Sequence, residues 1–66
     1  MDWITMAKEL PPDGLVVDTK IDNDKGIRNE QQLVRQGNLM FFPDYSMYVY
    51  YAPTHWRLPT GDTNND

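Results

Sequence analysis

The sequence predicts a small, mainly β domain, in which about three to five antiparallel strands form a sheet or an open barrel and one short helical turn lies near the N-terminus. Apolar and polar residues alternate over Leu15–Asp22, the pattern of a half-buried strand. Leu39–Phe42 and Met47–Tyr51 are rich in aromatic and β-branched residues, which favour strands. Turn residues recur between these segments, so an antiparallel meander is the simplest arrangement, with a small α+β fold as the alternative.

The N-terminal segment carries the predicted helical turn. Thr5–Leu10 contains residues that can form one or two turns of helix, and Thr5 is a plausible N-cap. Pro11-Pro12-Asp13-Gly14 follows at once, and this combination ends a helix and forms a turn.

The strand predicted over Leu15–Asp22 has two distinct faces. One face carries Leu15, Val17, Thr19 and Ile21, and the other carries Asp18, Lys20 and Asp22. The first face is therefore expected in the core and the second in solvent. Asn23–Gly26 has turn composition, with Gly26 at the position expected to have positive φ.

Ile27–Gln36 fits neither a helical nor a strand pattern, because only Ile27, Leu33 and Val34 are apolar. We interpret it as either a polar edge strand or an irregular arm, ended by Gly37-Asn38.

The strongest hairpin signal lies in the second half of the chain. Pro43–Ser46 separates Leu39–Phe42 from Met47–Tyr51, and proline and aspartate at these positions favour a turn. Ala52-Pro53 interrupts the chain, and Thr54–Leu58 is predicted to be a last short strand.

A chain of 66 residues makes one domain at most. We predict a single domain over residues 1–59, followed by a disordered, acidic and polar tail over residues 60–66, which has no apolar residue. A domain of this size is only marginally stable by burial alone. We therefore expect the eight aromatic residues to supply most of the core, with a homodimer as a further aid to stability.

Composition excludes several classes of protein. The chain has 6 Lys and Arg against 10 Asp and Glu, a net charge of −4, so a strongly basic nucleic-acid module is not expected. It has no cysteine, so disulfides and thiolate zinc sites are excluded. The sequence has neither an apolar run of membrane-spanning length nor a signal-peptide pattern at its start, and we expect a soluble, cytoplasmic protein without membrane contact.

The sequence predicts no enzyme, cofactor or metal site. His55 is the only histidine, and catalysis or metal binding needs converging partners. Asp22, Asp24 and Gly26 suggest a calcium loop, but the glycine and the position that needs a glutamate do not match the EF-hand spacing. The aspartates mostly lie in predicted turns, where no cleft would shift a carboxyl pKa for catalysis.

Tyrosines provide the candidate contact surface. Tyr48 and Tyr50 share one face of a predicted strand and Tyr45 lies in the turn before it, with Arg35 as a nearby cation. Exposed tyrosines can anchor a protein interface or stack on single-stranded bases. Because the net charge is acidic, the preferred hypothesis is a protein partner, and single-stranded nucleic acid is the alternative. A third alternative is that both faces of this strand are buried.

The two ends of the chain together carry a family resemblance. Trp3-Ile4, Leu10–Gly14, the pair Val16-Val17 and the closing segment Thr54–Pro59 resemble a family of small phage and prophage proteins of unknown function. Members open with Trp-Ile and Leu-Pro and close with Thr-His-Trp and Leu-Pro. The closing spacing here is one residue shorter, because Arg57 is followed directly by Leu58-Pro59.

The resemblance implies a phage or prophage accessory protein that acts inside a bacterium. We expect this protein to bind a host or phage protein, in the manner of an anti-host or anti-defence factor. It implies no reaction, cofactor or catalytic residue. The residues themselves suggest why both ends matter: we expect the first segment to run antiparallel to the last, with Trp3-Ile4 packed on Trp56-Leu58 and closing the sheet.

Overall fold

A five-stranded antiparallel sheet forms the framework of the chain in a computed structural model that describes residues 2–59. The strands are β1 (Ile4–Thr5), β2 (Val16–Asn23), β3 (Gly26–Gln36), β4 (Leu39–Phe41) and β5 (His55–Arg57). Their order across the sheet is β1-β5-β2-β3-β4. The predicted mainly β, antiparallel fold is confirmed, in the form of an open sheet.

Strand β2 has the buried face that the alternation predicts. Val17, Thr19 and Ile21 are all buried. Leu15 does not belong to this face, because it precedes β2 and stays 39% exposed. Lys20 also departs from the prediction, since it is only 8% exposed although it lies on the polar face.

Strands β2 and β3 are joined by the predicted tight turn. Gly26 has a φ of 108°, and the Asn23 side chain accepts a hydrogen bond from the Lys25 amide at 3.0 Å, as turn-forming asparagines do. Residues 26–36, interpreted from the sequence as an edge strand or an arm, form a strand of 11 residues. Its last three residues pair with β4, and the remainder pairs only with β2.

A bulge interrupts the pairing of β2 with β3. Thr19 is opposite Gln31 and Ile21 is opposite Arg28, so Lys20 faces two residues of β3. One of these two residues, Asn29, has a φ of 56°, a conformation that asparagine tolerates better than most residues. The extra residue twists β3 and changes which side chains face the core.

The predicted strand over Met47–Tyr51 is not formed. Only Tyr48 bridges to Phe41, supported by hydrogen bonds from Phe42 to Met47 and from Val49 to Met40. After Val49 the chain has to return from the β4 edge to β5 on the other side of β2 and β3. This change of direction prevents further pairing, although the residues themselves favour a strand.

The prediction of a helical turn near the N-terminus is wrong, because residues 2–59 contain no helix and only one isolated hydrogen-bonded turn is formed there. The Thr5 carbonyl accepts hydrogen bonds from the amides of Lys8 and Glu9, which makes a single turn. Pro11, which lacks an amide hydrogen and lies buried, is positioned to stop any continuation.

The two ends of the described chain meet in the sheet, as the sequence suggests. β1 pairs antiparallel with β5, with Ile4 opposite Trp56. β5 pairs in turn with β2, with Trp56 opposite Thr19. The ends do not close the sheet, since β1 forms one of its outer edges.

The core is mainly aliphatic, contrary to the expectation that aromatic residues supply most of it. Its buried hydrophobic residues are Val17, Ile21, Leu33, Val34 and Trp56. Trp56 is the one aromatic among them, and the other seven aromatic side chains are half-buried or exposed.

The predicted tail over residues 60–66 lies outside the described residues. Within residues 2–59 there is no helix long and apolar enough to cross a membrane.

Candidate binding surface

Three tyrosines and one phenylalanine form a connected aromatic group, here called the tyrosine cluster: Phe41, Tyr45, Tyr48 and Tyr50. The ring centre of Phe41 lies 5.8 Å from those of both Tyr45 and Tyr48. Tyr48 meets Tyr50 edge-on at 5.2 Å. These tilted and edge-to-face arrangements are favourable for aromatic pairs, so the rings support one another on the surface.

A short turn after β4 positions the first tyrosine. Tyr45 has a φ of 60°, and its amide donates to the Phe42 carbonyl at 2.8 Å. The phenol oxygen of Tyr45 accepts a hydrogen bond from the Gln36 side chain at 3.0 Å. Both ends of Tyr45 are therefore fixed, by the turn and by β3.

Asp44 stabilises the same turn. Its carboxylate accepts a hydrogen bond from the Ser46 amide at 3.0 Å. The backbone and side-chain hydrogen bonds from Ser46 lower the pKa of Asp44 below its ordinary value, because they favour the ionised carboxylate. The turn that carries Tyr45 is thus held by an ionised side chain.

The tyrosine cluster is open to solvent. Tyr50 is 79% exposed, Tyr45 50% and Tyr48 38%, and the neighbouring Met47 is 48% exposed. The alternative that both faces of this segment are buried is therefore wrong. Clustered exposed aromatic surface is uncommon on small soluble domains and is typical of interaction sites.

The structure brings together three of the four predicted contact residues but places Arg35 elsewhere. In the β3–β4 pairing, Phe41 is opposite Val34 and Arg35 is opposite Met40. Because side chains alternate along a strand, Arg35 points to the other face of the sheet from Phe41. Its guanidinium pairs with Asp13 at 3.2 Å and donates to the Pro11 carbonyl at 3.1 Å.

His55 belongs to the framework around β5. Its Nδ1 atom lies 2.7 Å from the Thr54 hydroxyl oxygen. That oxygen accepts a hydrogen bond from the Asp22 amide at 2.8 Å, and the Thr54 amide donates to the Lys20 carbonyl. Thr54 and His55 therefore connect β5 to the end of β2. No group of three or more His, Cys, Asp or Glu residues that could hold a metal ion is present in the described part of the chain.

Sequence reasoning missed a second aromatic site, around Trp3. Lys20 Nζ lies 4.4 Å and the Arg57 guanidinium 4.2 Å from the centre of the Trp3 ring, both within reach of a cation–π interaction. The alternation in β2 places Asp18 and Lys20 on one face, but only the pairing of β5 with β2 brings Arg57 beside them. The pattern within β2 therefore contains no signal for this site.

The cations near the sheet are mostly engaged by acidic partners. Lys20 pairs with Asp22 at 3.1 Å and Arg57 with Asp18 at 3.5 Å. Arg28 donates to the Asn23 side chain at the far hairpin. Within residues 2–59, no cation–π contact involves the tyrosine cluster. The cluster is thus an aromatic surface without a basic track beside it.

Comparisons of the chain with models of protein families, with curated proteins and with solved structures find no match.

Proposed function

We propose that this chain is a non-enzymatic binding protein that contacts a host or phage protein through the tyrosine cluster. The observation that carries the proposal is the group of exposed, mutually supported rings of Tyr45, Tyr48 and Tyr50. The resemblance of the two chain ends to small phage and prophage proteins points to a partner inside a bacterium, and we propose a role as an anti-host or anti-defence factor.

The physical chemistry of tyrosine supports this role. A tyrosine offers a large contact area with only two side-chain torsions to restrict, so binding costs little conformational entropy. Such residues are enriched among those that dominate the energy of protein interfaces. In the cluster, the contacts with Phe41 and the hydrogen bond of Tyr45 with Gln36 restrict the rings before any partner arrives. This preorganisation reduces the cost of association further.

Single-stranded nucleic acid is the alternative partner, because bases stack on exposed tyrosines. Such binding also needs cations that follow the phosphate backbone. Arg35 lies on the other face of the sheet and pairs with Asp13, and the whole chain has a net charge of −4. These two observations favour a protein partner.

A pull-down from bacterial lysate tests the proposal, with tagged protein and with nuclease-treated and untreated samples. We expect the same protein to be recovered from both samples and to remain bound as salt is raised, because an interface buried around aromatic residues depends little on ionic strength. Recovery only from untreated lysate, with loss at moderate salt, would contradict the proposal and favour nucleic acid.

A pair of variants locates the surface. Tyr48→Ser/Tyr50→Ser removes the exposed end of the cluster, and we expect it to abolish recovery of the partner. Ile27→Ser is the matched control, since Ile27 is also apolar and 57% exposed but lies at the β2–β3 hairpin. If the Tyr48→Ser/Tyr50→Ser variant is folded by circular dichroism and still recovers as much partner as the Ile27→Ser variant, the tyrosine cluster is excluded as the contact surface.

A further inference from the structure

An apolar pocket of about 250 Å³ opens on the Arg35 side of β3 and β4. It is separate from the tyrosine cluster and does not depend on the function proposed for that surface. Three parts of the chain supply its walls: the N-terminal turn, the β3–β4 hairpin and the segment that returns to β5. Its apolar lining consists of Met6, Leu10, Leu39, Met40, Val49, Ala52 and Pro53.

The rim of the pocket exposes large apolar side chains. Leu10 is 51% exposed and Leu39 is 43% exposed, and both line the pocket. Exposed leucines of this kind around an apolar concavity are typical of ligand-binding sites.

Arg35 supplies the only formally charged side chain among the residues that line the pocket. Its side chain is 23% exposed, and one guanidinium nitrogen, Nη1, contacts both Asp13 and the Pro11 carbonyl. Neither Asp13 nor Pro11 lines the pocket, so both contacts of Nη1 lie outside the pocket lining. Among residues 2–59, the other two guanidinium nitrogens have no hydrogen-bond partner.

We propose that this pocket binds a small carboxylate with a short apolar chain. The free edge of the Arg35 guanidinium takes the carboxylate, since guanidinium and carboxylate groups match in charge and geometry. The apolar walls take the chain. The volume is below the roughly 300–1,000 Å³ of pockets for drug-sized ligands, which limits the ligand to a small molecule.

Octanoate is the probe for the first test, in a titration of the isotope-labelled full chain followed by amide NMR spectra. We expect saturable shifts confined to the pocket, at residues such as Met6, Asn38 and Ala52, with a Kd of about 1 mM or tighter. Octanol and octylamine have the same chain without the carboxylate, and we expect them to bind at least about tenfold more weakly. Equal binding of octanol would overturn the role of Arg35, and the absence of saturable shifts with octanoate would overturn the site.

Variants separate loss of the site from loss of the fold. Arg35→Gln should weaken octanoate binding about tenfold while leaving octanol binding unchanged. Ala52 lines the pocket and is exposed, so Ala52→Trp places a large ring at the pocket wall and should abolish binding. Ala7→Trp is its control, because Ala7 is exposed and does not line the pocket. Unchanged octanoate binding by a folded Ala52→Trp variant would place the ligand elsewhere and contradict the proposal.

Discussion

Trp56 connects β1, β2 and the N-terminal turn. It is 4% exposed and lies on β5 between Ile4 of β1 and Thr19 of β2. Its indole nitrogen donates a hydrogen bond to the Glu9 carbonyl at 2.8 Å, which ties the N-terminal turn to the sheet. The aromatic body and the polar edge of the indole are therefore both satisfied, as buried tryptophans require.

Replacing Trp56 by alanine tests this role. We expect Trp56→Ala to lower the free energy of unfolding by about 3–5 kcal/mol, as deletion of a buried aromatic side chain does, and thereby to unfold so small a domain. Urea denaturation followed by circular dichroism measures the change. Tyr50→Ala is the control, since Tyr50 is 79% exposed and should cost little. A folded Trp56→Ala variant with unchanged midpoint would contradict the packing described here.

Asp44 makes the stability of the turn that carries Tyr45 dependent on pH. Hydrogen bonds from Ser46 lower its pKa below the ordinary value of 3.8, so the folded state favours the carboxylate. The stabilisation is complete above the ordinary carboxyl pKa and is lost as pH falls through the lower pKa of the folded state.

We therefore expect Asp44→Ala to lower the melting temperature at neutral pH and to lower it less in strong acid. Thermal melts of the variant and the original chain at both pH values measure the difference. Asp44→Asn keeps an acceptor for Ser46 without the titration, so its effect should vary less with pH. An effect of Asp44→Ala that is constant over this range would exclude the carboxylate as the stabilising group.

At the scale of elements, the least regular point of the sheet is the bulge in β3. Asn29 has a φ of 56°, where most residues with a Cβ are strained. Two residues of β3 there oppose Lys20 alone. The bulge shifts the register of β3, while Thr19 and Ile21 share a buried face because side chains alternate along β2.

Substitutions at Asn29 test whether the bulge is intrinsic to the fold. Asn29→Gly should keep or slightly raise stability, because glycine adopts positive φ without strain. Asn29→Val should lower it by about 1–2 kcal/mol, the cost of the left-handed conformation for a residue with a bulky Cβ. Urea denaturation of the two variants side by side is the measurement. If the valine variant were as stable as the glycine variant, the backbone of β3 would not have the described conformation.

Elements whose structure is indicated by the residues within them were predictable. Elements whose structure depends on pairing with segments distant in sequence were not. The alternation in β2 and the glycine that follows it identified a strand and the turn at its end. The polar composition of β3 left an edge strand and an irregular arm as alternatives. The segment forms a strand of 11 residues because it pairs with β2, not because its own side chains favour a strand. Met47–Tyr51 has strand-forming residues, but the need to return to β5 decides its path.

The same distinction applies to the candidate site. Three tyrosines close in sequence were predictable as a group because local turn geometry keeps them together. The position of Arg35 was not predictable, because the register of β3 against β4 decides which face of the sheet its side chain occupies. Burial of Lys20 beside Trp3 likewise depends on the position of β5, which cannot be predicted from the residue pattern of β2.

In the whole molecule, the strands that form the buried core and the tyrosine cluster lie in different parts of the sheet. The N-terminal and C-terminal strands pair beside β2, and the β2–β3 hairpin completes the buried region. The tyrosine cluster lies at the opposite edge of the sheet, around β4. Residues of the cluster can therefore change with little effect on the framework, which is the arrangement expected of a binding surface on a rigid scaffold.

Site-specific photo-cross-linking in living bacteria tests whether the tyrosine cluster contacts a protein. A photoreactive phenylalanine analogue replaces Tyr50 in one variant and Asp24, at the tip of the β2–β3 hairpin, in another. We expect a discrete protein adduct from position 50 and none from position 24. An adduct from position 24 alone, or adducts to nucleic acid at position 50, would contradict the assignment of the tyrosine cluster as a protein-binding surface.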